Sequence, residues 1–574
     1  MFNISYLQLK KNLKKDFSNF SKIRLAILGD SSTQFLNTAI KGLGFDYELN
    51  LDIYESDYDQ IPLQVFDSSS DLYNFKPELI IIFKSSHKLL QKYNVTNLES
   101  QSSFAINQIT EIKNIYSTLS NNINSKIIFY NYTEINDNVF GNFSNKVESS
   151  FLFQQRKLNY LLMEFALTAP NLYICDLSSL QNQIGKGNLF HTSSYINNSM
   201  VLSVDILPLV AKYTLDIIKA IEGNFKKCII LDLDNTTWGG IIGDDGVEKI
   251  QIGNLGIGKA FSEFQLWVKK LKNRGIIIAI CSKNTESVAI EPFRKHPDMV
   301  LKIEDISVFV ANWENKADNI RYIQNVLNIG FDSMVFIDDN PFERNIVREN
   351  LPDVYVPELP EDPADYLEYL YNLNLFETIS YSNEDAKRTK KYQIESKRAL
   401  AQKKYTNEND FLKSLEMVSN IESFNSFNAP RVAQLSQRSN QFNLRTIRYT
   451  EKDVIKMINS KDYFPFTFNL KDKFGDHGLI CVIILKKQIN NSTLFIDTWF
   501  MSCRVLKRGM ERFVLNHLVS FAKNNNYKFL EGEYIETSKN ILVKDHYSNL
   551  GFEKKNNNLI LDLNNYSRLV THIK

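Results

Sequence analysis

The stretch Lys226 to Gly240, KKCIILDLDNTTWGG, constrains this chain most. Cys228 to Leu233 is a short apolar run bounded by charge, the pattern of a strand buried on both faces. It ends in Asp232 and Asp234, two residues apart. Side chains two apart on an extended chain share a face, so two carboxylates there can converge on one hard cation. In an open α/β sheet the carboxyl end of a strand is where loops gather and ligands bind.

Three later segments supply partners for that strand. Gly275 to Ile280 is a second apolar run, and it ends in Cys281, Ser282, Lys283 and Asn284, where a hydroxyl and helix-start amides can hold phosphate oxygens. Lys316 opens the helical pattern Ala317, Ile320, Ile323, Leu327, and its ammonium can neutralise a phosphate as a point charge. Ser333 to Ile337 is a third strand ending in Asp338, Asp339, Asn340 and Pro341, which offers the further carboxylate that Mg²⁺ wants.

Asp-x-Asp-x-Thr, then Ser, then Lys, then Asp-Asp, each after a strand or opening a helix, resembles the haloacid dehalogenase (HAD) superfamily of phosphotransferases. The wording DLDNTTWGGIIGDDG, ICSKN, NWENKADNI and FIDDNPFERNIVR looks more closely like the FkbH-like subfamily, whose members load a glyceryl unit from 1,3-bisphosphoglycerate onto an acyl carrier protein. The resemblance implies that Asp232 is the nucleophile and Asp234 the general acid and base, with a backbone carbonyl for the metal. It implies that Ser282 and Lys316 hold the phosphate, and that Asp338 completes the Mg²⁺ site with Asp339 and Asn340 close by. It also makes Cys281, the cysteine of CSKN, the acyl carrier on the enzyme. A thiol at a strand end near helix-start amides and Lys283 would have its thiolate favoured.

At 574 residues the chain is too long for one core, and usual domain sizes point to three or four domains. A hydrophobic fraction of 43% with 12% aromatic residues argues for globular folding throughout. The net charge of +1 gives no electrostatic case for nucleic acid or an anionic membrane. Five cysteines, without Cys-x-x-Cys spacing, fit reduced thiols better than a disulfide framework or zinc site. The start, MFNISYLQLKKNLKKD, is too polar for a secretory signal, and no apolar run approaches the roughly 18 residues of a membrane span. The expected location is the cytoplasm.

The expected fold class is α/β, in three domains: a flavodoxin/SGNH-like α/β domain over 1–222, a capless HAD Rossmannoid domain over 223–375, a helical connector over 376–415, and a GNAT-like α+β acyltransferase domain over 416–574. In the first, runs at Ile23 to Leu28, Leu79 to Phe83, Lys126 to Tyr130 and Leu172 to Cys175 alternate with helix-length stretches. The first run ends in Gly29, Asp30, Ser31 and Ser32, similar to the opening motif of SGNH hydrolases, with Ser31 at the nucleophile's position. No Asp-x-x-His follows, and His191 sits in NLFHTSSY, so binding or positioning is expected there instead of hydrolysis. The stretch between Asp234 and Ser282 has room for a flap, a helix and a strand, and none for a cap domain. An open site then needs a neighbouring domain, subunit or macromolecule as cover.

The connector carries many basic residues, among them Arg388, Lys391, Lys397 and Arg398, as either a docking face for an acidic carrier protein or a solvated helix face. The last region resembles a GNAT acyltransferase, in which a strand feeds an Arg-x-x-Gly-x-Gly loop whose amides hold the pyrophosphate of coenzyme A or phosphopantetheine. The matching segment is Arg504 to Gly509, with Lys507 in place of the first glycine, so Arg504, Arg508 and Gly509 are candidate contacts to an acyl donor. Two functions follow. One is dephosphorylation of a 1,3-bisphosphoglycerate-type donor, with glyceryl transfer through Cys281 to an acyl carrier protein. The other is a HAD phosphatase on a small or sugar phosphate, fused to a GNAT-type acyltransferase.

Overall fold

The computed structural model describes residues 4–381, 388–402, 404–439, 441–488, 492–502, 505–537, 539–555 and 558–574. The chain divides into two compact units, Met1–Ile221 and Glu222–Lys574. Among the described residues no helix is long and apolar enough to cross a membrane.

The first unit is built on strands β1 (Ser21–Gly29), β2 (Leu49–Glu55), β3 (Leu79–Phe83), β4 (Lys126–Tyr130) and β5 (Leu172–Cys175). They form one parallel sheet in the order β2-β1-β3-β4-β5. Strand β2 has no counterpart among the apolar runs read from the sequence. It is an edge strand whose LNLDIYE pattern leaves most side chains partly exposed, so it lacks the continuous apolar signal of a central parallel strand. The order reverses between β1 and β3, and a crevice opens outside the carboxyl ends at such a switch point.

The second unit contains two sheets. The first joins β6 (Cys228–Leu231), β7 (Ile277–Ser282), β8 (Val308–Ala311) and β9 (Met334–Ile337), all parallel in the order β8-β7-β6-β9. A bridge between Val335 and Tyr355 extends its β9 edge. Alternation along β6 and β7 divides two apolar layers. Ile229, Leu231, Ile278 and Ile280 face the helix Gly256–Asn273, while Cys228, Ile230, Ala279 and Cys281 face the helix Lys316–Leu327. Between Asp234 and β7 the chain makes only a short flap, closed by paired backbone bonds between Gly239 and Gln251 (3.0 and 2.7 Å), before the Gly256 helix. The two helices Glu286–Ala289 and Glu291–Lys295 follow β7, so the site has no cap domain.

The other sheet, in the third region, runs β10 (Ile421–Ser423), β11 (Tyr463–Asp472), β12 (Gly475–Lys487), β13 (Thr493–Met501), β14 (Phe529–Gly532), β15 (Glu553–Lys555) and β16 (Asn558–Asp562). Its order is β10-β11-β12-β13-β14-β16-β15, antiparallel except for the β13/β14 pair. The connector helix Arg388–Gln402 ties the two sheets together. Tyr392 is buried in the second region's core, and Arg398 is only 3% exposed. The basic character of the connector is therefore partly internal. Arg398 pairs with Glu395 (2.5 Å) and with Asp472 of β11 (2.7 Å), and donates to His477 Nε2 of β12 (3.0 Å). Arg508 joins the same cluster through Glu395 (2.5 Å) and His477 (3.1 Å). Burial opposes the charge on Glu395, but His477, Arg508 and Arg398 outweigh it and hold the carboxyl down at about 2.

Candidate active site

The four strands of the second region's parallel sheet deliver their loops to one edge, and the carboxylates meet there. Asp232 follows β6 directly, and its N–H donates to the Ile337 carbonyl (2.9 Å), which fixes the end of β6 against the end of β9. Asp338 and Asp339 follow β9. Lys316 begins the Lys316–Leu327 helix, whose start is fixed by Asn315, the side-chain oxygen of which accepts from the Ala317 N–H (2.7 Å). That cap aims the ammonium inward, where it lies 2.9 Å from Asp232 Oδ2 and 2.5 Å from Asp338 Oδ2.

Oxygens of Asp232, Asp338 and Asp339 lie within 4.8 Å of one another. Asp338 is fully buried, and burial together with the Asp232 charge pushes its carboxyl up to about 7 in spite of Lys316. Burial works against the Lys316 ammonium, yet Asp232 and Asp338 hold it above its ordinary range. Asp232 Oδ1 is buried and has no hydrogen-bond partner. Three carboxylates facing one ammonium, with one oxygen unsatisfied, form a donor set that suits a hard divalent cation. The residues present therefore fit such an ion.

The surrounding turns hold these groups in place. Thr236 donates to Asp339 Oδ1 (2.9 Å) and accepts from the Asp339 N–H (3.0 Å), while the Thr237 hydroxyl donates to the Asp232 carbonyl (2.6 Å). Asn340 donates its N–H to Asp338 Oδ1 (2.9 Å) and caps the next helix by accepting from Phe342 N–H (2.9 Å). Arg344 donates to the carbonyls of Asp338 (2.9 Å) and Asp339 (2.6 Å). Sequence reasoning gave no role to Thr237 or Arg344, although both stand inside the quoted motifs.

Asp234 stands beside this cluster. Its carboxylate accepts from Trp238 Nε1 (3.0 Å), the Ile242 N–H (3.0 Å) and Asn284 Nδ2 (2.8 Å), and burial raises its pKa. A carboxyl held so, and raised, is suited to passing a proton. Ser282 ends β7 as a buried residue at the same sheet edge. Cys281 is not brought to the site as a thiolate. It is fully buried in the layer under the Lys316 helix, its thiol donates to the Lys316 carbonyl (3.8 Å), and burial pushes its pKa far up. Lys283, the expected stabiliser of that thiolate, instead pairs with Glu343 (2.6 Å). Trp238 is core, packed edge-on against Phe293, and Trp313 is 73% exposed.

In the first unit, Ser31 is buried with an unpartnered Oγ, and His191 is an exposed cap bonded to Ser194 (2.8 Å). In the third region, Gly509 precedes the helix Met510–Asn524 in a left-handed turn (φ +78°). Lys507 is left-handed as well (φ +63°), the conformation a glycine would take there without strain. Arg508 is turned into the connector cluster, where it meets Glu395 and His477. Arg504 lies outside the described residues.

A family model described as "FkbH, N-terminal domain" matches residues 24–219. The crystal structure of the N-terminal part of the protein BF1531 from Bacteroides fragilis, containing a phosphatase domain and complexed with Mg, is 54% identical, with a TM-score of 0.63 over 66% of this chain and 100% of that one. The ribosomal-protein-S18-alanine N-acetyltransferase from Escherichia coli is 15% identical, with a TM-score of 0.20 over 25% of this chain and 91% of its own. The GNAT domain of S. lividans PAT is 12% identical, with a TM-score of 0.21 over 25% and 90%. A search of curated proteins found no match.

Proposed function

The chain belongs to the FkbH-like family, and from that membership we propose that its second region is an Mg²⁺-dependent phosphatase with Asp232 as nucleophile. The observation that carries the proposal is the free, buried Oδ1 of Asp232 beside Lys316 and Asp338. Asp232 attacks the phosphorus of a phosphomonoester, the P–O bond to the leaving group breaks, and Asp234 gives that oxygen its proton. Water then attacks the aspartyl phosphate, Asp234 takes its proton, and inorganic phosphate leaves with Asp232 restored. Lys316 and Ser282 hold the phosphoryl oxygens. Mg²⁺, held by Asp232, Asp338, Asp339 and the Asp234 carbonyl, supplies the positive charge that lets a carboxylate approach an anionic phosphate.

The substrate we propose is an acyl phosphate of the 1,3-bisphosphoglycerate type, with an acyl carrier protein as acceptor of the glyceryl unit. Two features support this reading. The site has no cap, and the loops that carry it expose large apolar side chains, Ile241, Trp313 and Phe342, as a partner-binding rim would. On such a donor, thiol attack at the acyl carbon forms the thioester, the bond from that carbon to the phosphate oxygen breaks and inorganic phosphate leaves, and Asp232 removes the remaining monoester.

The burial of Cys281 favours a second reading, in which the phosphatase acts on a small or sugar phosphate and a GNAT-type domain acylates a product. Intact mass after incubation with Mg²⁺ and 1,3-bisphosphoglycerate generated in place separates the two. A glyceryl adduct lost in Cys281→Ser and passed to a carrier protein establishes loading. Phosphate release that needs Asp232, with no adduct, establishes the second reading.

A further inference from the structure

The third region contains a slot that the chain fills with itself. The parallel pair β13/β14 is matched only from Thr493 with Phe529 to Ile496 with Gly532. Beyond Ile496 the pairing with β14 ends, while β13 stays paired with β12 as far as Met501. A parallel pair that opens in this way bares backbone N–H and C=O groups along one edge, and an extended, amide-bearing ligand can add there as an extra strand.

In this molecule residues 442–444 lie in that opening. Leu444 N–H donates to the Trp499 carbonyl (3.2 Å), and Met501 N–H donates to the Phe442 carbonyl (3.0 Å). On the other side, Ile535 N–H, just past β14, donates to the Leu444 carbonyl (2.9 Å). Asn540 Nδ2 donates both to the Asn443 carbonyl (2.9 Å) and to the Ile535 carbonyl (2.9 Å). Phe442, Asn443 and Leu444 are 2%, 1% and 1% exposed. Arg445 then pairs with Asp497 of β13 (2.8 Å) and with Glu533 beyond β14 (2.8 Å), so one guanidinium spans the gap. One carbonyl and one N–H of the open β13 edge are thus taken by the chain itself.

We propose that Phe442, Asn443 and Leu444 form a built-in plug that closes the third region to an extended thiol-bearing arm of the phosphopantetheine type. With the plug seated, the Trp499 carbonyl and the Met501 N–H are already bonded and are not offered to such an arm. Acyl transfer in this region then requires the plug to leave first. The inference concerns the third region alone, so it stands or falls separately from the phosphatase reading.

The test is titration calorimetry of the full chain with coenzyme A and with pantetheine, which lacks the nucleotide, combined with hydrogen exchange over residues 441–446. Wild type is expected to bind both more weakly than about 1 mM, with the Leu444 amide protected whether or not ligand is present. Leu444→Pro, which lacks the N–H, and Asn540→Ala, which frees the Asn443 carbonyl, should each gain at least about tenfold in affinity for both compounds. Phosphate release serves as the check that each variant is folded. Binding by wild type with the Leu444 amide still protected, rapid exchange at Leu444 without ligand, or folded variants that gain nothing would each overturn the plug. If both variants unfold, the wild-type exchange data decide.

Discussion

Strand β1 and strand β6 end alike and lead to different chemistry. Each is a buried strand of a parallel sheet, and each is followed at once by an aspartate, Asp30 or Asp232. Asp30 accepts from the Ser85 N–H at 2.9 and 3.0 Å, and burial pushes its carboxyl up to about 6 although Ser85 and the Lys84 charge pull it down; Lys84 itself is paired with Glu111 (2.5 Å). The next residue, Ser31, is shut in. Asp232 meets a lysine and two further carboxylates, brought by the ends of β8 and β9, and keeps one oxygen free. A strand end is therefore only an address. Chemistry appears where neighbouring strands send several carboxylates to that address together with a lysine bonded directly to them, as Lys316 is to Asp232 and Asp338.

The sharpest way to break this comparison is to alter one residue at each strand end in turn. Asp232→Asn should lower kcat for phosphate release from a simple phosphomonoester by about 10⁴-fold, whereas Ser31→Ala should leave it within about twofold. An equal loss in both would end the distinction. Lys316→Met should cost on the order of 10³-fold, because it removes a charge aimed at the transferred group, and chelation of Mg²⁺ should stop release until the ion is restored.

The first unit should instead answer in stability. Asp30 has a folded-state pKa raised from 3.8 to about 6, so its contribution is fully present below pH 3.8 and is lost as pH rises through 6. The loss is about 3 kcal/mol at most, and Asp30→Asn should flatten that part of the profile in denaturant titrations at pH 5 and pH 7.5. The smallest expected effect is that of Cys281→Ser. It should leave phosphomonoester hydrolysis within about twofold and lower stability by roughly 1 kcal/mol, since a hydroxyl replaces a thiol in an apolar layer. A large loss of hydrolysis in that variant would put Cys281 in the phosphatase machinery after all.

Asp232, Lys316, Asp338 and Asp339 were legible in the sequence because each follows a strand or opens a helix, positions whose direction the backbone fixes. The burial of Cys281 was legible too, since period-two alternation sets it with Ile277 and Ala279 against the Lys316 helix. Its motif drew attention to its chemistry and away from its direction. Strand β2 was not legible, because an edge strand is not required to be apolar on both faces. Nor were the partners of Arg398. A run of charge on a helix shows that the residues are polar, and it does not show that a second sheet supplies Asp472 and His477 to receive one of them.

That cluster has a consequence for how such proteins are assembled and cut. A gene joint placed at residue 415, after the connector, would strand Arg398 and Glu395 without Asp472, His477 and Arg508. Uncoupling buried pairs of this kind costs about 3–5 kcal/mol, enough to spoil a recombinant fragment or a shuffled chimera. A joint ahead of Arg388 keeps that cluster whole but takes Tyr392 out of the second region's core and Gln393 off the Glu304 and Ile306 carbonyls, so neither end of the connector is a clean seam for exchanging the last module.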